Sequence, residues 1–248
     1  MRQRSAQGKG LTGSRRAPRI AAVIPALNEA QAIAAVVRSL REHPTVHFAD
    51  VIVVDNGSTD GTAGVAEAAG ARAIRLETAG YGGACFEGVR AASNADVLVL
   101  LDGDASDDPA DLDALLAPVL RDEADLVVGS RRQGRVEAGA MTPQQVFGNR
   151  LTGWLMRRLY GLEVTDLGPL RAIRPARLNA LEMRERTYGW SVEMMVKAAR
   201  AGYRYREVPV NYRRRIGVSK VGGTLHGSLR AGWAILATTW RYRNWTRA

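Results

Sequence analysis

Two aspartates separated by one glycine, Asp102-Gly103-Asp104, follow directly on the apolar run Val97 to Leu101. Residues two apart in an extended chain project to the same side, so both carboxylates can face one point. Hard divalent cations such as Mg2+ or Mn2+ take oxygen ligands, commonly one or two carboxylates completed by substrate phosphates and water. Asp102 and Asp104 are therefore a candidate metal pair able to dock a diphosphate, with Gly103 leaving room between them. The same residues also suit a plain turn, with Asp107 or Asp108 capping the helix that follows Pro109.

Two more polar segments stand in the same position relative to an apolar run. Asp55-Asn56-Gly57-Ser58-Thr59-Asp60-Gly61-Thr62 opens a helical segment, where backbone N–H groups lacking helical partners collect together with hydroxyls. Asp55 can hold a ribose hydroxyl or a base N–H, and Ser58, Thr59 or Asp60 can equally serve as a helix cap. Pro25-Ala26-Leu27-Asn28-Glu29 follows the first apolar run, where the simpler reading is a helix start capped by Asn28. Gly80-Tyr81-Gly82-Gly83 is either a loop or a place where backbone approaches a phosphate closely.

These motifs need a scaffold that brings them together. From Ile20 to about Ser130, strand-length apolar runs (Ile20 to Ile24, Val51 to Val54, Ala71 to Leu76, Val97 to Leu101, Leu126 to Val128) alternate with segments of helical period. The helical segments are Ala30 to Arg41, Thr62 to Ala69, Gly83 to Ala92 and Asp111 to Arg121. That alternation predicts an α/β, Rossmann-like, mostly parallel sheet with helices on both faces, and such sheets gather ligands at the carboxyl ends of their strands. All three polar motifs fall there. The second half predicts helices over Gln144 to Leu159 and Ser191 to Ala201, a short strand near Asp166 to Ile173 and another over Tyr205 to Val210. It reads as the acceptor side of one catalytic domain.

Composition bounds the function. A chain of 248 residues with 46% hydrophobic content can bury a sizeable core. The formal charge of +10 favours a polyanionic partner: nucleic acid, an anionic membrane surface or a phosphorylated substrate. The single cysteine, Cys85, excludes an internal disulfide and a Cys-rich metal site, suits a reducing cytoplasm and reads as a small packing residue. Residues 1–19 form a basic segment without an apolar core, expected to be a disordered tail, and no run approaches the roughly twenty apolar residues of a membrane span.

Taken together, Val23-Ile24-Pro25-Ala26-Leu27-Asn28-Glu29, the Asp55 to Thr62 run, Asp102-Gly103-Asp104 and Gly129-Ser130-Arg131 resemble, in order and spacing, the family 2 glycosyltransferases of GT-A fold. The likeness extends from about Ile20 to about Lys220. Arg214-Arg215-Ile216-Gly217-Val218-Ser219-Lys220 is similar to the Arg-x-x-Gly-x-Ser-Lys element of the polyprenyl-phosphate sugar transferases, the subgroup of dolichyl-phosphate mannose synthase. The resemblance implies a nucleotide-sugar donor held by Pro25, Leu27, Glu29, Asp55, Gly57 and Gly82. It places metal and diphosphate at Asp102, Gly103 and Asp104, has Arg214, Ser219 and Lys220 closing over phosphates, and puts Arg131 beside the acceptor. It also implies inversion at the anomeric carbon. Where the subgroup carries Ser-Gly-Phe-Arg, this chain reads Asp166-Leu167-Gly168-Pro169-Leu170-Arg171, without the hydroxyl and the ring.

If the acceptor is a hydroxyl, a carboxylate must take its proton, and Asp166 and then Glu193 are the candidates. Trp190, beside Glu193, can stack on a sugar or anchor the core. The segment from residue 221 to 248 mixes Trp233, Trp240 and Trp245 with Arg230, Arg241 and Arg243, which suits a helix in the lipid headgroup region or one docked on the protein's own core or on a second copy. The expected partners are a nucleotide sugar and a polyprenyl phosphate at the cytoplasmic membrane surface. A small hydroxyl or phosphorylated acceptor is the alternative, favoured by the missing Ser-Gly-Phe element. A nucleic-acid-binding protein, suggested by charge alone, leaves the ordered acidic motifs unexplained.

Overall fold

The computed structural model describes residues 16–77, 80–217 and 225–247, with side chains from residue 232 onward in the last stretch. Most of the basic tail, Ser219 and Lys220 lie outside the described residues. Strands β1 (Ile20–Ala26), β2 (Phe48–Asp55), β3 (Arg72–Arg75), β4 (Val97–Leu100), β5 (Leu126–Ser130), β6 (Arg171–Ile173) and β7 (Tyr205–Pro209) form one sheet in the order β3-β2-β1-β4-β6-β5-β7. The pairings β1–β2, β2–β3, β1–β4 and β5–β7 are parallel, whereas β6 runs antiparallel between β4 and β5. The expected mostly parallel α/β sheet is present, and the short strand near Asp166 to Ile173 is the one that breaks the parallel run.

The central strand β1 is buried along its whole length, and its side chains sort by the two-residue period. Ala22, Ile24 and Ala26 pack under α1 (Ile33–Arg41), α2 (Thr62–Ala68) and α4 (Leu112–Leu120). Ala21 and Val23 face α3 (Tyr81–Ala91), α6 (Pro175–Asn179) and α7 (Trp190–Arg200). On α1, Ile33, Val36, Val37 and Leu40 form one buried stripe, each burial contributing about 1.5–3 kcal/mol. Cys85 lies in the α3 face of the core, where burial pushes its thiol up, in keeping with a packing role.

A third layer comes from the second half of the chain. The helix α5 (Pro143–Tyr160) starts at a reciprocal capping box between Thr142 and Gln145, has Pro143 in its first turn, and stops at Gly161 with φ 64°. The C-terminal helix α8 (Leu225–Arg241) packs against both α5 and α7. Met156 of α5, Val192, Met195 and Val196 of α7 and Tyr242 share one small core. Trp190 is buried in the α3 face of the main core, so of its two readings the structure selects the anchor.

Candidate functional site

The loops after β1, β2 and β4 meet at the carboxyl edge of the sheet, and the first two brace each other. Asn28, at φ 52°, donates its N–H to Ser58 Oγ at 2.8 Å and accepts from Thr59 N at 2.8 Å. Glu29 N donates to Thr62 Oγ1 at 2.9 Å and Ala30 N to Asp60 Oδ2 at 3.0 Å. Asn28 is therefore not the cap of α1, which begins only at Ile33, and the hydroxyls of the Asp55 to Thr62 run hold the neighbouring loop. Asp55, buried at the end of β2, accepts from Ser58 N at 2.9 Å. Asn56 takes Gly80 N at 2.7 Å and so ties the glycine cluster to β2.

The acidic pair sits in a turn rather than an extended run. Gly103 points into the core, where an added Cβ would lie 3.2 Å from Ile33 and 3.4 Å from Ala26. Asp104 accepts from the backbone and hydroxyl of Ser106 at 3.0 and 2.5 Å. The stretch before Gly217 returns across this turn: Arg213 N donates to Ser106 O at 2.8 Å and Ile216 N to Asp104 O at 2.9 Å. That return brings Arg215 between two carboxylates, 3.1 Å from Asp104 and 2.7 Å from Glu29. The Tyr81 hydroxyl makes a long contact, 3.4 Å, to the Asp102 carboxylate. Burial, and then the charge of Asp104, push the Asp102 carboxyl up to about 7.

Two oxygen donors crowded enough to hold a proton near neutrality form a site that a divalent cation would relieve, so the residues present fit one. Among the described residues no group of three or more His, Cys, Asp or Glu could cage a metal alone. Asp102 and Asp104 would thus leave coordination positions for substrate phosphate and water.

In the second half of the chain the two carboxylates read as proton acceptors are already engaged. Asp166, fully buried, accepts from Arg131 Nε at 2.6 Å, Arg131 Nη2 at 2.7 Å, Arg131 N at 2.9 Å and Asn149 Nδ2 at 2.5 Å. Glu193, also fully buried, pairs with Lys197 at 2.7 Å and takes the backbone N–H groups of Arg184 and Glu185. Both carboxylates are thus already engaged, and by donors that the sequence does not show. Asp166 instead fixes Arg131, whose guanidinium also lies over the Tyr212 ring at 4.8 Å from its centroid.

A cleft of about 540 Å3 joins the two sides. It brings together Pro25, Leu27, Glu29, Asp102, Gly103, Asp104 and Arg131, as the sequence led one to expect. Asp55, Gly57, Gly82, Asp166, Glu193 and Arg214 are not among the residues that line it. Gly82 has a different reason to lack a side chain: a Cβ there would lie 2.6 Å from the Glu185 carbonyl, so the close approach is to protein backbone. Arg214 points to Ala138 O, at 2.6 Å, and Glu137, and its neighbour Arg215 takes the inward position. Sequence reasoning missed Asn56, Tyr81, Asn149, Tyr188, Tyr212 and Arg215, all on the cleft wall. Asn56, Tyr81 and Arg215 stand inside motifs quoted from the sequence, whereas nothing local marks Asn149 or Tyr212.

The chain belongs to glycosyl transferase family 2, whose family model matches residues 21–181. An uncharacterised glycosyltransferase of Mycobacterium bovis is 38% identical over 214 residues, covering 86% of this chain and 94% of the relative. The undecaprenyl-phosphate mannosyltransferase of Micrococcus luteus is 34% identical, covering 84% of this chain and 90% of that protein. Among solved structures, glucosyl-3-phosphoglycerate synthase from Mycobacterium tuberculosis, in complex with Mn2+, UDP-glucose and phosphoglyceric acid, superposes with a TM-score of 0.74 at 24% identity. That alignment covers 92% of this chain and 80% of the synthase, and marks the fold as GT-A. The protein is a glycosyltransferase.

Proposed function

We propose that this enzyme transfers a sugar from a nucleoside diphosphate donor, with inversion, to an acceptor that is already ionised, a polyprenyl phosphate at a membrane surface. The observation that carries the acceptor class is the locking of Asp166 and Glu193. A hydroxyl acceptor needs a carboxylate free to take its proton, whereas a phosphate oxygen is a nucleophile as it stands. Arg131, held rigid by Asp166 on the cleft wall, offers that phosphate a fixed cation. The sequence likeness to an undecaprenyl-phosphate mannosyltransferase supports the same class.

In this reading the nucleotide lies against Pro25, Leu27 and Glu29, with Asp55 and Gly57 shaping the loop behind them and Gly82 keeping the glycine cluster close to residues 185–186. Asp102 and Asp104 would hold Mg2+ or Mn2+, which when bound supplies positive charge against the leaving diphosphate. Arg215, already between Glu29 and Asp104, is placed to meet phosphate oxygens, with Ser219 and Lys220 following it in sequence and Arg214 supporting the segment from outside. The acceptor oxygen forms a bond to the anomeric carbon while the bond to the diphosphate oxygen breaks, and that oxygen leaves with the electron pair. Fixed charge on both sides of the carbon is electrostatic catalysis.

A small phosphorylated acceptor is the second reading. It is favoured by the absence of the Ser-Gly-Phe element, by the polar cleft residues Gln144, Gln145 and Thr187, and by the phosphoglyceric acid bound in the structural neighbour. The test has two parts. Thermal shifts with UDP, GDP and dTDP, each with and without Mn2+, are compared between the wild type and Asp104→Ala, and metal-dependent stabilisation by one nucleotide class should vanish in the variant. Labelled transfer is then offered undecaprenyl phosphate and 3-phosphoglycerate in parallel. Turnover on the second alone would reject the lipid.

A further inference from the structure

The largest exposed apolar side chains are not scattered. On α5, Phe147 and Trp154 are 68% and 61% exposed and lie seven residues apart, which places them on one face. On α8, Trp233 and Trp240 are 72% and 57% exposed with the same spacing, and Leu236 lies between them. Both helices hold the core with their opposite sides: Thr152 and Met156 on α5, Thr238 and Thr239 on α8. Among the described residues both stripes therefore stay exposed, while the helices that bear them pack directly against each other. Apolar surface concentrated in this way marks an interaction site.

Charge indicates the occupant. α5 contains Arg150, Arg157 and Arg158 and no acidic residue, and the sequence after Glu207 contains no acidic residue to its end. The Arg243 guanidinium lies over Trp240 at 4.4 Å from the ring centroid. Aromatic rings interleaved with arginines match the headgroup layer of an anionic bilayer, where rings sit at the interface and guanidinium groups reach lipid phosphates. The same two helices supply one wall of the cleft, through Gly148 and Asn149 on α5 and Gly232 and Ile235 on α8.

We propose that α5 and α8 form a two-helix docking face for an anionic lipid bilayer, with Phe147 and Trp154 as a contact separate from the C-terminal tryptophans, so that the cleft wall is set at the lipid surface. The inference deepens the lipid-acceptor reading and rests on it. It assigns to α5, inside the family 2 domain, half of a surface that the C-terminal segment would otherwise supply alone.

The test is sedimentation of the full chain with phosphatidylcholine vesicles, with and without phosphatidylglycerol, at low and high salt. Wild-type protein should pellet with the anionic vesicles, less so at high salt. The pair Phe147→Ser with Trp154→Ser should lower that partition by roughly tenfold, as should Trp233→Ser with Trp240→Ser. Because all four side chains are exposed, Mn2+-dependent nucleotide stabilisation should persist in both variants. Wild-type partition of the α5 variant would overturn the two-helix face. So would a wild-type dimer in sedimentation velocity that the α5 variant converts to monomer without vesicle binding, since the face would then join two copies. Transfer to a detergent-solubilised polyprenyl phosphate with no vesicle binding would sink the docking face while sparing the lipid-acceptor reading, and loss of both would remove the two together.

Discussion

Replacing Asp166 by Asn separates a structural carboxylate from a catalytic one. In the folded protein Asp166 has no solvent exposure and receives four hydrogen bonds, three from Arg131 and one from Asn149, while the Arg131 side chain is itself only 8% exposed. Asparagine has nearly the same volume, so no cavity opens, but it carries no charge and presents an NH2 group to partners that are all donors. At least one buried donor is left facing another, beside a guanidinium that has lost its counter-charge. Removing one member of a buried ion pair costs about 3–5 kcal/mol. For a domain of this size each kcal/mol moves the melting temperature by about 2–4 °C, so Asp166→Asn should melt roughly 6–20 °C lower. Adding Arg131→Met removes the orphaned cation and should recover part of that loss, giving a coupling energy of about 1.5–3 kcal/mol in the double-mutant cycle. Differential scanning calorimetry on the four proteins, with kcat measured well below each melting point, is the assay. A general base contributes about 10^2–10^4 in rate. An Asp166→Asn protein that melts like the wild type yet loses activity on that scale, together with the acidic limb of its pH profile, would refute the structural assignment and restore the base.

Further outcomes follow from other contacts. Gly82→Ala sets a methyl 2.6 Å from the Glu185 carbonyl and 2.8 Å from the Arg186 carbonyl carbon, and should destabilise by about 1–3 kcal/mol in urea. Gly64→Ala, with nothing within 4 Å, should instead stabilise α2 by up to about 1 kcal/mol. Arg215→Met should weaken nucleoside diphosphate binding by roughly tenfold while strengthening Mn2+ binding to the nucleotide-free protein, because Arg215 and a cation compete for Asp104. Calorimetric titration reads both, and unchanged Mn2+ affinity would argue against that competition. Asp102, pushed up to about 7, holds its proton in the folded state above the unfolded carboxylate value of about 3.9. Its contribution to the stability of the metal-free protein therefore falls as pH rises from about 4 to about 7, whereas Mn2+ binding gains over the same rise. Asp102→Asn should flatten both trends in thermal scans across that range.

How far the sequence announces this molecule depends on where each signal is stored. The parallel half is legible because a strand buried on both faces must be an apolar run, and each crossover helix keeps its own period; every strand expected between Ile20 and Val128 is present within a few residues. The box at Thr142 and Gln145, Pro143 and Gly161 all punctuate α5 locally, whereas α6 was missed although Pro175 opens it. The start of α1 was misplaced because Asn28 is spent on the loop at Ser58 and Thr59, a contact across thirty residues of chain that no local pattern records. The candidate site divides in the same way. Asp102 and Asp104 are visible as a motif, but the roles of Asp166 and Glu193 depend on Arg131, Asn149 and Lys197, and a carboxylate's chemistry is set by what surrounds it. The choice between Arg214 and Arg215 is likewise a matter of which way one turn of backbone faces.

The charge distribution ties these points into one argument about substrate. The carboxylates of the cleft wall, Glu29, Asp102 and Asp104, all come from loops of the parallel half, and Arg215 is the cation paired with two of them. A divalent cation bound there would add the positive charge that favours approach of a doubly charged diphosphate, and would make metal and donor binding mutually dependent. Across the cleft, Arg131 is paired with the buried Asp166 and lies over the Tyr212 ring, so the wall carries a cation that is already fixed in place. In the lipid-acceptor reading an anionic acceptor meets that cation, while Asp166 and Glu193 stay engaged with their own partners. The lipid-acceptor reading and the docking face on α5 and α8 thus share one electrostatic logic: Arg131 on the cleft wall and the exposed Arg150, Arg157 and Arg158 on α5 all favour negative charge, in the acceptor and in the surface that carries it.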